Sequence, residues 1–262
     1  MMKKDTVAST IKTQLSAGHG CYWVLLDPDD FSPEAGAAIA FQAQQAGVDA
    51  LLIGGSLMHT NHFDAFVGAV KNKVSIPVIL FPGDATQLSR HADAVLFLSL
   101  ISGRNPVNLI GEHVKAAPVI KDYGLEPIST GYMLVESGAV TSVEFMSNTR
   151  PLPRNKPLIA AAHALAAQYI GMQMIYLEAG SGAAQTVPDD MIQLVRKTVD
   201  IPIIVGGGIT DATTAVAKLT AGADIIVTGN LLKMETGLAR MQEIAHAVRH
   251  KQVPQRSGQG VS

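Results

Sequence analysis

Eight short apolar runs recur along the chain, and between most of them the pattern changes to helical spacing. The runs are CYWVLLD from Cys21, DALLIGG from Asp49, IPVILF from Ile76, AVLFLSL from Ala94, EPISTGYMLV from Glu126, MIYLEAG from Met174, IPIIVGG from Ile201 and DIIVTG from Asp224. Most are near-continuous rather than alternating, which is the pattern of strands buried on both faces in a parallel sheet. Helical segments are predicted at residues 32–46, 155–171, 188–199, 211–221 and 234–250. Their starts carry capping chemistry: Ser32-Pro33-Glu34 offers an N-cap, a proline in the first turn and an acid beside the helix dipole, and Pro188-Asp189-Asp190 and Thr210-Asp211 are similar. Gly47 and Gly222 fall where C-caps belong.

Two stretches read as copies of one unit. Residues 76–100 and 201–230 both open with Ile-Pro and a β-branched run, turn at Gly-Asp or Gly-Ile-Thr-Asp, cross an Ala-rich helix and re-enter a strand at Ala-Asp. This is a half-barrel duplication, and with eight strands it predicts a single-domain (β/α)8 TIM barrel over residues 1–250. Residues 6–15 form an amphipathic stretch expected to cover the barrel bottom. Residues 136–154 are an insertion after the fifth strand, on the catalytic side, where Thr149, Arg150 and Arg154 are candidate lid residues. The polar tail, residues 251–262, reads as disordered.

Composition narrows the class. The 262 residues match the roughly 250 typical of this barrel. With 47% hydrophobic and only 16% charged residues, the chain can bury a large core and keep apolar surface for an interface or a greasy ligand. A formal net charge of −2 without a Lys/Arg cluster excludes a nucleic-acid surface. The single cysteine, Cys21, excludes an intrachain disulfide framework and reads as a small buried hydrophobe. No signal peptide is recognisable and no apolar run approaches the ~18 residues of a membrane span, so the expected protein is cytoplasmic and not an integral membrane protein.

Catalytic groups in this fold sit just past strand ends, which gives Asp27, Ser56, Tyr132 and Glu178. Asp27 lies in LLDPDD, where Asp-Pro-Asp is also good turn chemistry. Ser56 follows Gly-Gly and reads equally as a helix N-cap. Glu178 interrupts the apolar run MIYLEAGSG; an unpaired buried carboxylate is costly, so it either has a fixed partner or faces the site. Gly180, Ser181 and Gly182 follow it, and Gly207, Gly208, Gly229 and Asn230 end the seventh and eighth strands. Three small-residue loops at adjacent strand ends predict a phosphate cradle built from backbone N–H groups. His59 and His62 in HTNH have no evident third metal ligand and read as a polar loop.

Taken together, LLDPDD, IGGS, SLISGRNP, STGYMLV, YLEAGSG, VGGGI and VTGN resemble the geranylgeranylglyceryl phosphate synthase family along nearly the whole chain, with YLEAGSG the most specific. The resemblance implies a modified TIM barrel. It implies a Mg²⁺-dependent prenyltransferase that joins a polyprenyl diphosphate to the 3-hydroxyl of sn-glycerol 1-phosphate, releasing diphosphate and forming an ether lipid precursor. It places Mg²⁺ at Asp27 and Ser56, and glycerol phosphate against Tyr176, Leu177, Glu178, Ala179, Gly180, Ser181, Gly182, Gly207, Gly208, Gly229 and Asn230.

In that chemistry Glu178 is the candidate base, Tyr132 a candidate to face the allylic cation or bind glycerol, and Arg104 in SGRNP a candidate diphosphate contact. A related branch resembles K-L-D-P where this chain has Leu25-Leu26-Asp27-Pro28, so another cation must replace that lysine. The length and the YLEAGSGA form resemble the larger-subunit group, which implies a homo-oligomer, with a hexamer among the options. Geranylgeranyl diphosphate is the favoured donor, with chain length left open. Val95, Phe97 and Leu98 are candidate neighbours of the prenyl tail, although core packing is the simpler reading. Alternatives are another phosphate-binding barrel, such as a phosphosugar isomerase or FMN enzyme, and a non-catalytic prenyl- or phosphate-binding barrel.

Overall fold

The computed structural model describes residues 6–234 and 236–251. Eight strands close a barrel in sequence order, every neighbour parallel. They are β1 (Cys21–Leu26), β2 (Ala50–Ile53), β3 (Val78–Leu80), β4 (Ala94–Leu100), β5 (Glu126–Leu134), β6 (Met174–Glu178), β7 (Ile203–Gly206) and β8 (Ile225–Thr228). The near-continuous apolar runs have the expected cause, because both strand faces are covered. Trp23, Leu52, Ile79, Leu96, Ile128, Tyr132, Tyr176 and Ile204 fill the barrel interior. Their neighbours Val24, Leu51, Val78, Met133, Leu177 and Val205 pack outward against the helices.

The helices are α1 (Val7–Ser16), α2 (Pro33–Gln45), α3 (Phe63–Lys73), α4 (Glu112–Tyr123), α5 (Ser142–Ser147), α6 (Pro157–Tyr169), α7 (Asp189–Thr198), α8 (Ala212–Ala221) and α9 (Gly237–His250). A π-helical turn, Val107–Gly111, leads into α4, and a 3-10 turn, Asn230–Lys233, follows β8. Helix α1 covers the barrel bottom as expected. The Glu126 carboxylate at the foot of β5 accepts the N–H groups of Val7 and Ala8 at 2.5 and 3.0 Å, so a barrel side chain fixes the helix start. The expected tail lies almost wholly outside the described residues.

One sequence expectation is corrected. No helix crosses between β3 and β4; residues 81–93 form an irregular segment. Only thirteen residues are available, and their polar side chains serve turns instead of a helix face. Asp84 accepts the N–H of Thr86, and Gln87 turns inward to bond Gly55 and Gly83. The duplication therefore holds in the strands and fails in the crossover, and the outer helical ring has a gap beside β4.

At the bottom rim the duplication divides further. The side chain just before or at the start of each even strand accepts an N–H from the odd strand preceding it: Asp49 from Tyr22 at 2.8 Å, Asp93 from Val78 at 2.8 Å, Gln173 from Ser129 at 3.0 Å and Asp224 from Ile203 at 2.8 Å. The Ala-Asp pairs noted in the sequence are two of these pins. Asp224 is buried and also meets Arg196 at 3.0 Å. Replacing Asp224 with Ala is expected to lower the unfolding free energy by about 3 kcal/mol, as breaking one side of a buried pair does. Urea denaturation measures this, and activity per folded molecule is expected to be unchanged because the pin lies at the rim opposite the site described next.

Candidate functional site

The C-terminal ends of the strands open into a cavity of about 510 Å³, within the range of small-molecule sites. Asp27 and Ser56 line it together with Tyr132, Tyr176, Glu178, Ser181, Gly182, Gly207, Gly208 and Gly229. Residues chosen from six separate strand ends therefore face one space. Asn230 opens the 3-10 turn directly after Gly229. Leu177 and Ala179 belong to the layer between sheet and helices, so only their backbone is on the cavity side of the strand.

Glu178 and Tyr176 alternate on β6 and both point inward. The Glu178 carboxylate is buried, accepts the N–H of Gly180 at 2.5 Å and hydrogen-bonds the Tyr176 hydroxyl. Burial raises its pKa to about 7, against the opposing pull of those two hydrogen bonds. The glycines of β7 create the space it occupies. A Cβ at Gly206 would lie 2.5 Å from the Tyr176 hydroxyl, and one at Gly207 would lie 2.6 Å from Glu178 Oε1. The absent side chains thus make room for the carboxylate and the tyrosine, a packing need separate from an anion cradle. Gly180, with φ of 102°, does a related job: a Cβ there would lie 2.4 Å from Thr141, the N-cap of α5, so glycine lets the insertion seat over β6.

Beside the carboxylate stand three rings. Phe81 stacks on Tyr176 at 5.3 Å, and Tyr132 meets Tyr176 edge-on at 5.3 Å and Phe81 at 5.9 Å. Burial pushes both tyrosine hydroxyls well above their ordinary range, with the Glu178 charge adding to it, so both stay neutral donors. Phe81 was missed in the sequence. Its signal was the repeat itself, because Phe81 occupies the place in IPVILF that Gly206 holds in IPIIVG.

Asp27 follows directly on β1. Its Oδ1 accepts the N–H of Asp29 at 3.1 Å, and a Cβ on Gly55 would lie 2.9 Å from its Oδ2, which places the carboxylate against the loop that carries Ser56. Partial burial raises the Asp27 pKa, the Asp29 N–H opposing it. Such a carboxylate, at the edge of a roomy cavity that Ser56 also lines, suits a hard divalent cation that binds one or two carboxylates and keeps water and phosphate oxygens. No group of three or more His, Cys, Asp or Glu residues among the described residues forms a closed metal cage. Two side chains that the sequence reading did not single out fasten the Ser56 loop. Buried Gln87 bonds the N–H and carbonyl of Gly55, and Asp29 accepts the N–H groups of His59 and Thr60 at 2.8 and 2.7 Å. His62 precedes α3 and lies 3.2 Å from the Pro28 carbonyl, in keeping with a polar loop.

Three expectations change. Arg104 does not line the cavity; its guanidinium donates to the Gly103 carbonyl and lies beside His163 of α6. The insertion does cover the site, but through Val143, Met146 and Ser147 of α5. Thr149 is buried against Gly103, Arg150 is exposed without lining the cavity, and Arg154 ties the carbonyls of Glu136 and Thr186 together. Finally, Val95, Phe97 and Leu98 are cavity walls as well as packing residues. The cavity runs from the barrel mouth over β4 into the gap left by the missing helix, between Leu88 on one side and His113, Ala116 and Ile120 of α4 on the other.

The PcrB family model matches residues 14–248. The chain belongs to the PcrB family. It is 50% identical over 225 residues to a geranylgeranylglyceryl phosphate synthase of Chitinophaga pinensis, covering 86% of this chain and 88% of that one. Identity to the enzyme of the same name from Thermococcus kodakarensis is 44% over 244 residues, 93% of this chain and 96% of that one. The crystal structure of (S)-3-O-geranylgeranylglyceryl phosphate synthase from Thermoplasma acidophilum, in complex with its substrate sn-glycerol-1-phosphate, superposes with a TM-score of 0.89 at 32% identity, covering 96% of this chain and all of that one. As a PcrB member the chain shares its closed barrel with that crystallised relative over nearly its whole length.

Because the Glu178 pKa in the folded protein exceeds its ordinary 4.5, the folded state holds that proton more tightly than the unfolded chain. The resulting stabilisation is complete below about pH 4.5 and is lost as pH rises through about 7. Glu178→Gln is therefore expected to raise the ligand-free protein's stability at pH 8 by on the order of 1–3 kcal/mol and to bring no gain at pH 4. Thermal unfolding at the two pH values checks this.

Proposed function

We propose that this protein is a prenyltransferase that joins a polyprenyl diphosphate, with geranylgeranyl diphosphate favoured, to the 3-hydroxyl of sn-glycerol 1-phosphate, releasing diphosphate. One observation carries the reading: the small-residue ends of β6, β7 and β8, the Asp27–Ser56 pair and an apolar trough over β4 all belong to a single cavity. A phosphate-gripping barrel for a short polar substrate has no use for the trough. The relatives' names and the glycerol phosphate bound in the Thermoplasma acidophilum enzyme support the same assignment.

In this reading Ser181, Gly182, Gly207, Gly208, Gly229 and Asn230 hold the glycerol phosphate at the rim through main-chain amides. Anchoring the phosphate presents the 3-hydroxyl to the reacting carbon and removes most of the entropy of encounter. Glu178 accepts the hydroxyl proton as the carbon–oxygen bond forms; a carboxyl poised near pH 7 is matched to that task. Phe81, Tyr132 and Tyr176 offer ring faces to positive charge developing on the allylic carbon and exclude water. Asp27 and Ser56 would hold Mg²⁺, which when bound supplies the positive charge that neutralises the departing diphosphate. The prenyl tail leaves the mouth over β4, past Leu98 and Phe97, into the gap beside α4.

The wider setting is proposed as well. Exposed Leu158, Ile159, Tyr169 and Ile170 on and after α6 support a homo-oligomer, hexameric or smaller. A cytoplasmic location is proposed with it; no helix among the described residues is long and apolar enough to cross a membrane.

Purified protein incubated with sn-glycerol 1-phosphate, Mg²⁺ and prenyl diphosphates of graded length is expected to give an ether product by mass spectrometry, and EDTA is expected to abolish it. No product with any donor refutes the assignment. Asp27→Ala is expected to lower turnover by about 10³-fold or more, the scale for losing a main electrostatic stabiliser, with an unchanged circular dichroism spectrum. Turnover should rise with pH through about 7, and Glu178→Gln should lose activity across that range while retaining glycerol phosphate binding; a Gln variant with normal turnover reassigns the base.

A further inference from the structure

The cavity wall is rich in carboxylates: Asp27, Asp30, Asp84, Glu112 and Glu178 all line it, and of these Glu112 is already paired with Lys115 at 2.7 Å. A diphosphate ester entering such a space needs compensating positive charge, and one divalent ion beside Asp27 leaves the balance negative. Among the described lining residues a single lysine or arginine is present, Lys233. It sits at the end of the 3-10 turn that follows Gly229, on the seam where β8 pairs with β1. Its ammonium lies 2.8 Å from Asp30 Oδ1, three residues after Asp27, with its side chain 54% exposed.

We propose that Lys233 is a substrate-contacting residue that exchanges Asp30 for the diphosphate group of the prenyl donor. Three features of the site carry this. The ammonium stands on the Asp27 side of the cavity, where the leaving group must lie if the cation held there is to meet it. A half-exposed ion pair to Asp30 contributes little net stability, so the exchange is cheap, whereas contacts from an ammonium to phosphate oxygens are charge-assisted and shorter. Arg104, the other cation considered from the sequence, is engaged with the Gly103 carbonyl beside α6.

The inference rests on the proposed prenyl transfer, so wild-type turnover is measured first; an inactive wild type overturns both. With an active wild type, Lys233→Ala is tested by calorimetric titration of Mg²⁺–pyrophosphate and, separately, of sn-glycerol 1-phosphate. The expected result is about tenfold or greater weakening for pyrophosphate and a matching rise in KM for the prenyl diphosphate, with glycerol phosphate affinity within about twofold, the pattern of one lost charge-assisted contact. Lys233→Arg is expected to restore most of the pyrophosphate affinity. Unchanged pyrophosphate binding in Lys233→Ala overturns the proposal and leaves the prenyl transfer standing. A loss confined to glycerol phosphate also overturns it, by moving the ammonium to the other anion. If the Ala variant melts early, Lys233→Gln serves the same comparison.

Discussion

A carboxylate held out of water at the end of β6 is the constraint around which this site is arranged. Glu178 is buried to 6% exposure, and its charge is tolerable only because Gly180 and Tyr176 direct hydrogen-bond donors at it. Those donors need room, and Gly206 and Gly207 of the neighbouring strand provide it by having no side chains. The same two strands then present their loops to the cavity, so the space for a base and the edge of an anion cradle come from one local solution.

The barrel separates stability from chemistry along its axis. At the bottom, side chains at the starts of even strands bind the N–H groups of odd strands, and Glu126 fixes α1 across the opening. At the top, polar side chains hold loops rather than strands: Gln87 grips the Ser56 loop, Asp29 ties it to the loop after β1, and Arg154 clips the insertion to the loop after β6. Function in this fold collects at the loop end for that reason, since loop backbones can be repositioned without disturbing strand pairing.

The missing crossover helix connects the two halves of the proposed chemistry. A complete helical ring would cover the outer face of β4, and Val95 and Phe97 would be ordinary packing residues. With residues 81–93 irregular, that face becomes a wall of the cavity, and a long apolar group has a way out of the barrel mouth. A polar anchor and an apolar exit in one continuous space suit a reaction that joins a small phosphate to a long hydrocarbon.

Sequence by itself determined the strand order, the barrel and the residue types at the strand ends, because parallel strands buried on both faces must be apolar and catalytic polar residues interrupt that pattern visibly, as Glu178 does in MIYLEAGSG. It also carried the family resemblance through motifs in which small residues fix backbone shape. What tertiary structure alone decided were the contacts between residues far apart in the chain. Phe81 joins Tyr132 and Tyr176, Gln87 meets Gly55, and Lys233 stands opposite Asp30, none of them marked by local spacing. The helix expected after β3 failed for that reason, and Arg104 is turned to the Gly103 carbonyl by the same kind of contact. A short polar segment or a loop arginine takes its conformation from whichever carbonyls and side chains the fold brings within reach, and that is set by packing across the barrel rather than by neighbours in sequence.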